Sequence, residues 1–234
     1  MENTNNADMK KEEREQVKDL GSDITRSSKG NIYTLTIIGQ VEGHQVAPET
    51  AKTTKYEHVL PLLASIEESP DIDGLLILLN TAGGDVEAGL AIAELIAGMK
   101  KPTVSLVLGG GHSIGVPLAV AAKKCFIAPT ASMTLHPVRM NGTVLGVPQI
   151  LAYFQRIQES IVDFITANSR IEPDVLRTLM QRNGQLMGEA GSVVYGPEAV
   201  ELGLCDSLGS LSDALECLHR MIAQQRSSGE EEGA

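Results

Sequence analysis

The chain contains no tryptophan and few aromatic residues of any kind. Phe, Trp and Tyr together make up 3% of its 234 residues. Apolar residues still account for 42% of the sequence, which is enough for a folded core and excludes a chain that is disordered throughout. Val, Leu, Ile, Ala and Met must therefore fill that core.

Positive charge and cysteine are also scarce. The 19 Lys and Arg residues stand against 30 Asp and Glu, and the net charge of −11 argues against a nucleic-acid partner. The three cysteines, Cys125, Cys205 and Cys217, form no Cys-x-x-Cys pair, so neither a metal site nor a redox motif is expected. An odd number of cysteines without a framework suits a reducing compartment, and no cofactor is predicted.

Long hydrophobic runs are missing as well. No stretch approaches the ~20 apolar residues that a membrane span needs, and the polar N-terminus has no apolar core of a signal peptide. No Gly-x-x-x-x-Gly-Lys-Ser/Thr loop appears, so we expect no ATPase activity in this chain. These absences predict a cytoplasmic protein without a membrane span.

Polar segments flank one central domain. Residues 1–30 are predicted to form a flexible polar arm, residues 31–225 a single domain and residues 226–234 a disordered acidic tail. Within the domain, short apolar runs typical of buried strands alternate with segments of helical spacing. The predicted strands are 31–39, 74–80, 102–108, 125–129, 131–137 and 192–195, and the predicted helices are 49–68, 86–99, 114–123, 148–168, 197–202 and 211–225, with one more after Pro173. This alternation predicts an α/β fold with a mostly parallel sheet.

Two of the turns that follow predicted strands are rich in glycine. They read NTAGGD at 80–85 and GGGHSIG at 109–115, and in parallel sheets sites form where strands end and helices begin. Ser113, at the start of a helix, is either a nucleophile or a helix N-cap. His136, at the end of a strand in TLHP, is a candidate base for it or a histidine bonded to backbone.

Other polar groups near these turns favour structural roles. His112 precedes Ser113 and is expected to point elsewhere, and Asp85 is expected to be a first-turn helix charge. Gly-His-Ser-Ile-Gly also fits the nucleophile turn of α/β-hydrolases. That fold expects an acid and then a histidine far downstream, and the only histidine after His136 is His219.

Three segments follow one another along the chain: LLILLNTAGGDVEAGLAIAELI, VLGGGHSIGVPLAVAAKKCFIAPTASMTLHPVRMNG and GPEAVELGLCDSLG, with Ser113 placed 29 residues after Gly84. In this order and spacing they resemble the ClpP-type serine peptidases over about residues 32–210. The resemblance implies a ClpP/crotonase-like fold of repeated ββα units. It also implies a mostly parallel sheet and a protruding handle helix at 148–168.

The same resemblance implies roles for individual residues. Ser113 is the expected nucleophile, His136 the base, and the backbone N–H groups of Gly84 and Ile114 the oxyanion hole. The family's third residue, an aspartate, aligns with Gly191, so Glu189, two positions earlier, is the candidate that orients His136. A Ser-His pair with a backbone or water partner is the alternative. The glycine turn also departs from the family's Ser-Pro-Gly-Gly.

We therefore predict a serine endopeptidase that cleaves peptides or unfolded proteins. The resemblance implies a homo-oligomer of seven-membered rings, two of which stack, and leaves open an AAA+ or export-machinery partner. One alternative is a catalytically inactive ClpP-like scaffold that assists protein translocation. Another is a crotonase-type acyl-CoA enzyme, which typically uses Glu groups and stabilises an enolate.

Overall fold

The computed structural model describes residues 23–139, 147–182 and 190–232. The strands are β1 (Asp23–Thr25), β2 (Ile32–Glu42), β3 (Thr53–Lys55), β4 (Gly74–Gly84), β5 (Thr103–Gly111), β6 (Lys124–Ile127), β7 (Ser132–Leu135), β8 (Ser192–Tyr195) and β9 (Ser207–Leu208). The helices are α1 (Tyr56–Glu68), α2 (Val86–Gly98), α3 (Gly115–Val120), α4 (Val147–Ala167), α5 (Pro173–Gln181), α6 (Gly196–Glu201) and α7 (Leu211–Glu232). Each of these helices is either too short or too polar to span a lipid bilayer.

One sheet organises the domain. Its strands follow the order β1-β2-β4-β5-β6-β9, while β3 pairs with β2, and β7 pairs with both β5 and β8. All pairs are parallel except β1 with β2 and β7 with β8. The predicted α/β fold with a mostly parallel sheet is therefore confirmed.

Strand β4 is buried on both faces, which explains its continuous apolar sequence. Leu75, Ile77 and Leu79 face the larger core, together with α1, α2 and α3. Leu76 faces a smaller core that α7 closes with Leu218 and other apolar side chains. Successive side chains of a strand point to opposite faces. A strand that lies between two packed layers therefore favours apolar residues at every position.

Several boundaries differ from the sequence-based prediction. The segment predicted as a helix from residue 49 first forms β3, because Thr53 and Thr54 pair with β2, and the helix begins only at Tyr56. Strands β4 and β5 continue through their glycines to Gly84 and Gly111. At the ends, β1 lies within the segment predicted as an arm, and α7 continues beyond residue 225.

Two of the three cysteines lie side by side in the core. The Sγ atoms of Cys125, on β6, and Cys205, after α6, are 2.9 Å apart, and both side chains are buried. The hydrogen bond with Cys125, together with burial, raises the pKa of the Cys205 thiol well above its usual value. Both thiols therefore pack as part of the core, and their pairing was not predicted from the sequence.

Candidate active site

Ser113 lies on the tight turn that joins β5 to α3. It is the only residue other than glycine with a positive φ in the part of the chain that the structure describes, at +57°. L-residues avoid this left-handed conformation, and holding one there costs about 1–2 kcal/mol. Strain of this kind is typical of a serine displayed on a strand-to-helix turn for nucleophilic attack.

Hydrogen bonds hold this turn and leave one donor free. The backbone N–H of His112 donates to the carbonyl of Thr81 on β4 at 3.1 Å, and that of Ser113 donates to the carbonyl of Thr134 on β7 at 2.9 Å. Among the residues that the structure describes, the N–H of Ile114 has no acceptor. A donor that precedes the first turn of a helix is available to an oxyanion.

The second glycine turn, at the end of β4, packs directly against Ser113. Gly83 has φ +92°, and a Cβ at this position would lie 2.6 Å from Ser113 Cβ. Gly84 has φ +152°, and a Cβ there would lie 2.2 Å from the carbonyl oxygen of Val41. Only glycine satisfies both the backbone conformation and the space, so the close approach of the turn to Ser113 depends on this pair.

Helix α2 starts immediately after this turn. The side chain of Asp85 caps the helix, since its Oδ1 accepts a hydrogen bond from the N–H of Ala88 at 2.9 Å. This is a structural role of the kind expected for Asp85. Glu87, in the first turn, accepts a hydrogen bond from the Tyr153 hydroxyl at 2.9 Å, which connects α2 to α4.

His136 follows β7 directly. Its Nδ1 lies 2.7 Å from the carbonyl oxygen of Pro137, and a carbonyl can only accept a hydrogen bond. Nδ1 therefore carries the proton of the neutral ring, and Nε2 is left unprotonated, as a general base requires. The N–H of Val138 then donates to Gln158 Oε1 at 2.8 Å, which fastens this segment to α4.

The four sequence-predicted groups on these turns line a single pocket. Ser113, His136, Gly84 and Ile114 surround a cavity of about 120 Å³. Most of its remaining lining is apolar: Val86, Val116, Leu135, Val138, Ile161, Ile165 and Met180. No hydrogen bond joins the Ser113 hydroxyl to His136 in this conformation. Larger surface cavities, of about 530 and 920 Å³, contain none of the four groups.

The predicted third residue, Glu189, lies outside the described residues. Gly191, the aligned position, is described, and its N–H donates to the carbonyl of Arg182 at 2.8 Å. Within the described part of the chain, no carboxylate is hydrogen-bonded to His136. Pro137 supplies the acceptor for its Nδ1, as in the alternative of a Ser-His pair with a backbone partner.

His112 makes a contact that the sequence analysis missed. Its half-buried ring places Nδ1 2.8 Å from the Thr134 hydroxyl, and burial lowers the pKa of this histidine. The ring does not line the pocket that holds Ser113 and His136. The only signal in the sequence was a large polar residue placed directly before a candidate nucleophile.

Comparison with known proteins decides the family. The sequence model described as Clp protease matches residues 33–210 of this chain. The chain belongs to the Clp protease family. The matched region runs from β2 through the segment after β9 and contains both glycine turns, Ser113 and His136, so the resemblance found in the sequence is confirmed.

Three relatives show how far the likeness extends. Translocation-enhancing protein TepA of Halalkalibacterium halodurans is 50% identical over 213 residues, covering 91% of this chain and 83% of TepA. ATP-dependent Clp protease proteolytic subunit 1 of Chlamydia muridarum is 24% identical over 140 residues, 57% of this chain and 69% of the relative. Capsid assembly protease C of Escherichia phage lambda is 24% identical over 198 residues, 74% of this chain and 45% of the relative.

Proposed function

We propose that this protein is a serine peptidase that hydrolyses peptide bonds in peptides or unfolded chains. One observation carries the proposal. A serine held in a strained turn shares a small pocket with a histidine, and with the backbone of two glycine-rich turns. Membership of the Clp protease family supports the same chemistry.

In this mechanism Ser113 Oγ attacks the carbonyl carbon of the scissile bond, and His136 Nε2 accepts its proton. The Nδ1–H of His136 stays on the Pro137 carbonyl, which keeps the ring in the reactive tautomer. The N–H groups of Gly84 and Ile114 stabilise the oxyanion of the tetrahedral intermediate. His136 then protonates the leaving amine, and water attacks the acyl-enzyme with His136 again acting as base.

The apolar walls of the pocket favour a substrate with an apolar side chain beside the scissile bond. No Asp or Glu lines the pocket among the residues that the structure describes, so nothing in it supports the crotonase-type alternative. We also propose that the protein works as a cytoplasmic homo-oligomer, built of heptameric rings. Light scattering of the purified chain tests the assembly, since a monomer at micromolar concentration contradicts it.

The decisive test is labelling of the hydroxyl with a fluorophosphonate probe. We expect labelling of the wild-type protein and none of Ser113→Ala. Ser65→Ala is the matched control, because Ser65 is an exposed serine on α1. A folded wild-type protein that stays unlabelled, or a Ser113→Ala variant that labels like wild type, contradicts the peptidase.

A second candidate is a scaffold that assists protein translocation without cleaving its partner. The 50% identity to a translocation-enhancing protein and the missing hydrogen bond between Ser113 and His136 favour it. This scaffold would remain inert to the probe, and a secretion assay in cells would respond equally to wild type and Ser113→Ala. If wild type supports secretion and Ser113→Ala does not, the assistance to translocation would depend on the peptidase activity.

A further inference from the structure

His112 occupies the junction of three strands that carry the candidate site. Its backbone N–H donates to Thr81 on β4, and its side chain reaches Thr134 on β7. The residue itself directly follows the end of β5 at Gly111. Within the described residues, the bond between His112 and Thr134 is the one hydrogen bond that joins a side chain of β7 to the nucleophile turn.

Thr134 holds both of the residues at the centre of this turn. Its carbonyl accepts the N–H of Ser113 at 2.9 Å, and its hydroxyl lies 2.8 Å from His112 Nδ1. His136 lies two positions further along the same segment, so the placement of Thr134 constrains the position of His136 relative to Ser113. The direct pairing of β5 with β7 consists of a single bridge, between Gly110 and Ser132.

We propose that His112 is a positioning residue that, through Thr134, keeps His136 aligned with Ser113. The inference rests on the proposed peptidase function. The ring is suited to this task because it is held on one side by the main chain: a Cβ on Gly110 would lie 2.5 Å from His112 Nε2, so glycine at 110 leaves the space that the ring fills. Burial also favours the neutral form of the ring, and Nδ1 of a neutral ring can form a hydrogen bond with a hydroxyl group.

Four variants separate this role from simple packing. His112→Ala and Thr134→Val both remove the hydrogen bond between the two side chains. Thr134→Val also keeps the shape of the threonine side chain. His112→Asn retains a polar atom near the position of Nδ1, whereas His112→Gln places its amide near that of Nε2. Hydrogen-bond partners that act as a unit give non-additive effects in a double-mutant cycle.

The first readout is the rate at which the fluorophosphonate probe acylates Ser113. We expect about a tenfold loss in His112→Ala and Thr134→Val, since small misplacement of catalytic groups reduces rates by such factors. We expect recovery in His112→Asn but not in His112→Gln, and no further loss in the His112→Ala/Thr134→Val double variant. Equal rates for Ala and Asn, or additive losses, would overturn the proposal.

The second readout does not need activity. Amide hydrogen exchange of Ser113 reports its hydrogen bond to Thr134, and we expect faster exchange in His112→Ala with protection restored in His112→Asn. If the wild-type protein is inert to the probe, the proposed function fails and exchange alone decides the role of His112. Unchanged exchange at Ser113 in His112→Ala overturns the inference whether or not the protein is a peptidase.

Discussion

His112 directly precedes Ser113 in the sequence, and His136 lines the same pocket as Ser113. The two histidine rings have different hydrogen-bond partners. The ring of His112 is half-buried and bonds across the fold to a threonine hydroxyl, while the ring of His136 bonds to the carbonyl of the next residue and lines the pocket. The neighbour of Ser113 in sequence therefore lies outside the pocket of Ser113, and the histidine that follows the adjoining strand lines it. Position in the fold, more than proximity in sequence, makes His136 the candidate base.

Removing each imidazole ring in turn should have the largest effect and should separate the two histidines most clearly. We expect His136→Ala to lower the rate of Ser113 acylation by about 10²- to 10⁴-fold, the usual contribution of a general base. His112→Ala is expected to lose only about tenfold, because it acts through Thr134. Probe kinetics on folded protein measure both rates. A larger loss in His112→Ala than in His136→Ala would reverse the assignment.

The glycine turn on the other side of Ser113 provides the second test. Gly83→Ala adds a Cβ at 2.6 Å from Ser113 Cβ, at a φ of +92°. We expect it to lower the free energy of unfolding by about 1–3 kcal/mol and to slow acylation, because the backbone must shift against the nucleophile.

Gly98→Ala is its matched control, since a Cβ on Gly98 meets nothing within 4 Å at the end of α2. This variant should leave acylation unchanged and leave stability equal or raise it by up to about 1 kcal/mol. Urea unfolding of both variants compares them. If the two variants are equally stable, the turn at Gly83 accommodates the added Cβ at little cost in free energy, against our expectation.

The support of His136 offers a third, smaller effect. Gln158→Ala removes the acceptor for the N–H of Val138, two residues after the base. We expect a loss of about 1 kcal/mol of stability, as for a typical hydrogen bond, and a few-fold slower acylation. Gln155→Ala on the same helix is the control, because Gln155 is exposed. If the two variants have the same stability and the same acylation rate, the contact with α4 does not help to position His136.

The smallest effect concerns pH. Burial lowers the pKa of His112, so the unfolded chain, with a histidine pKa of about 6.5, binds this proton more readily than the folded protein. Stability from this group is therefore fully present above the unfolded pKa and is lost as the pH falls towards the lowered value. We expect the urea midpoint to fall less on acidification in His112→Asn than in wild type, and parallel curves would contradict this.

Much of the fold could be predicted because its central strands are covered on both faces. The run at 74–80 is almost entirely apolar, and the run at 102–108 is apolar apart from two small hydroxyl residues, Thr103 and Ser105, which are buried. The structure places these runs in β4 and β5. The glycines that extend these strands were assigned to turns, since glycine lacks a side chain to pack and has low strand propensity. β3 was missed because its three residues lie directly before a helix and depend on pairing with β2.

The candidate site also has parts that could be predicted from the sequence and parts that could not. Ser113, His136 and the glycine turns could be found because their spacing along the chain is that of a family. The contact of His112 could not be found in this way, because its partner Thr134 is brought to it by the pairing of separate strands. A backbone partner for His136 was one of the alternatives, but the sequence could not identify Pro137 as its source, because sequence patterns record side chains and not main-chain acceptors. Glu189 as an orienting acid stays a prediction.

The left-handed backbone of Ser113 has a consequence for how the protein can be engineered. Glycine adopts this conformation without penalty, so a turn needed only for its shape would be more stable with glycine at this position. We expect Ser113→Gly to gain about 1 kcal/mol of stability over wild type while it loses the hydroxyl. In the proposed peptidase, this variant would bind peptide substrates without cleaving them, which would suit it to isolating them from cells.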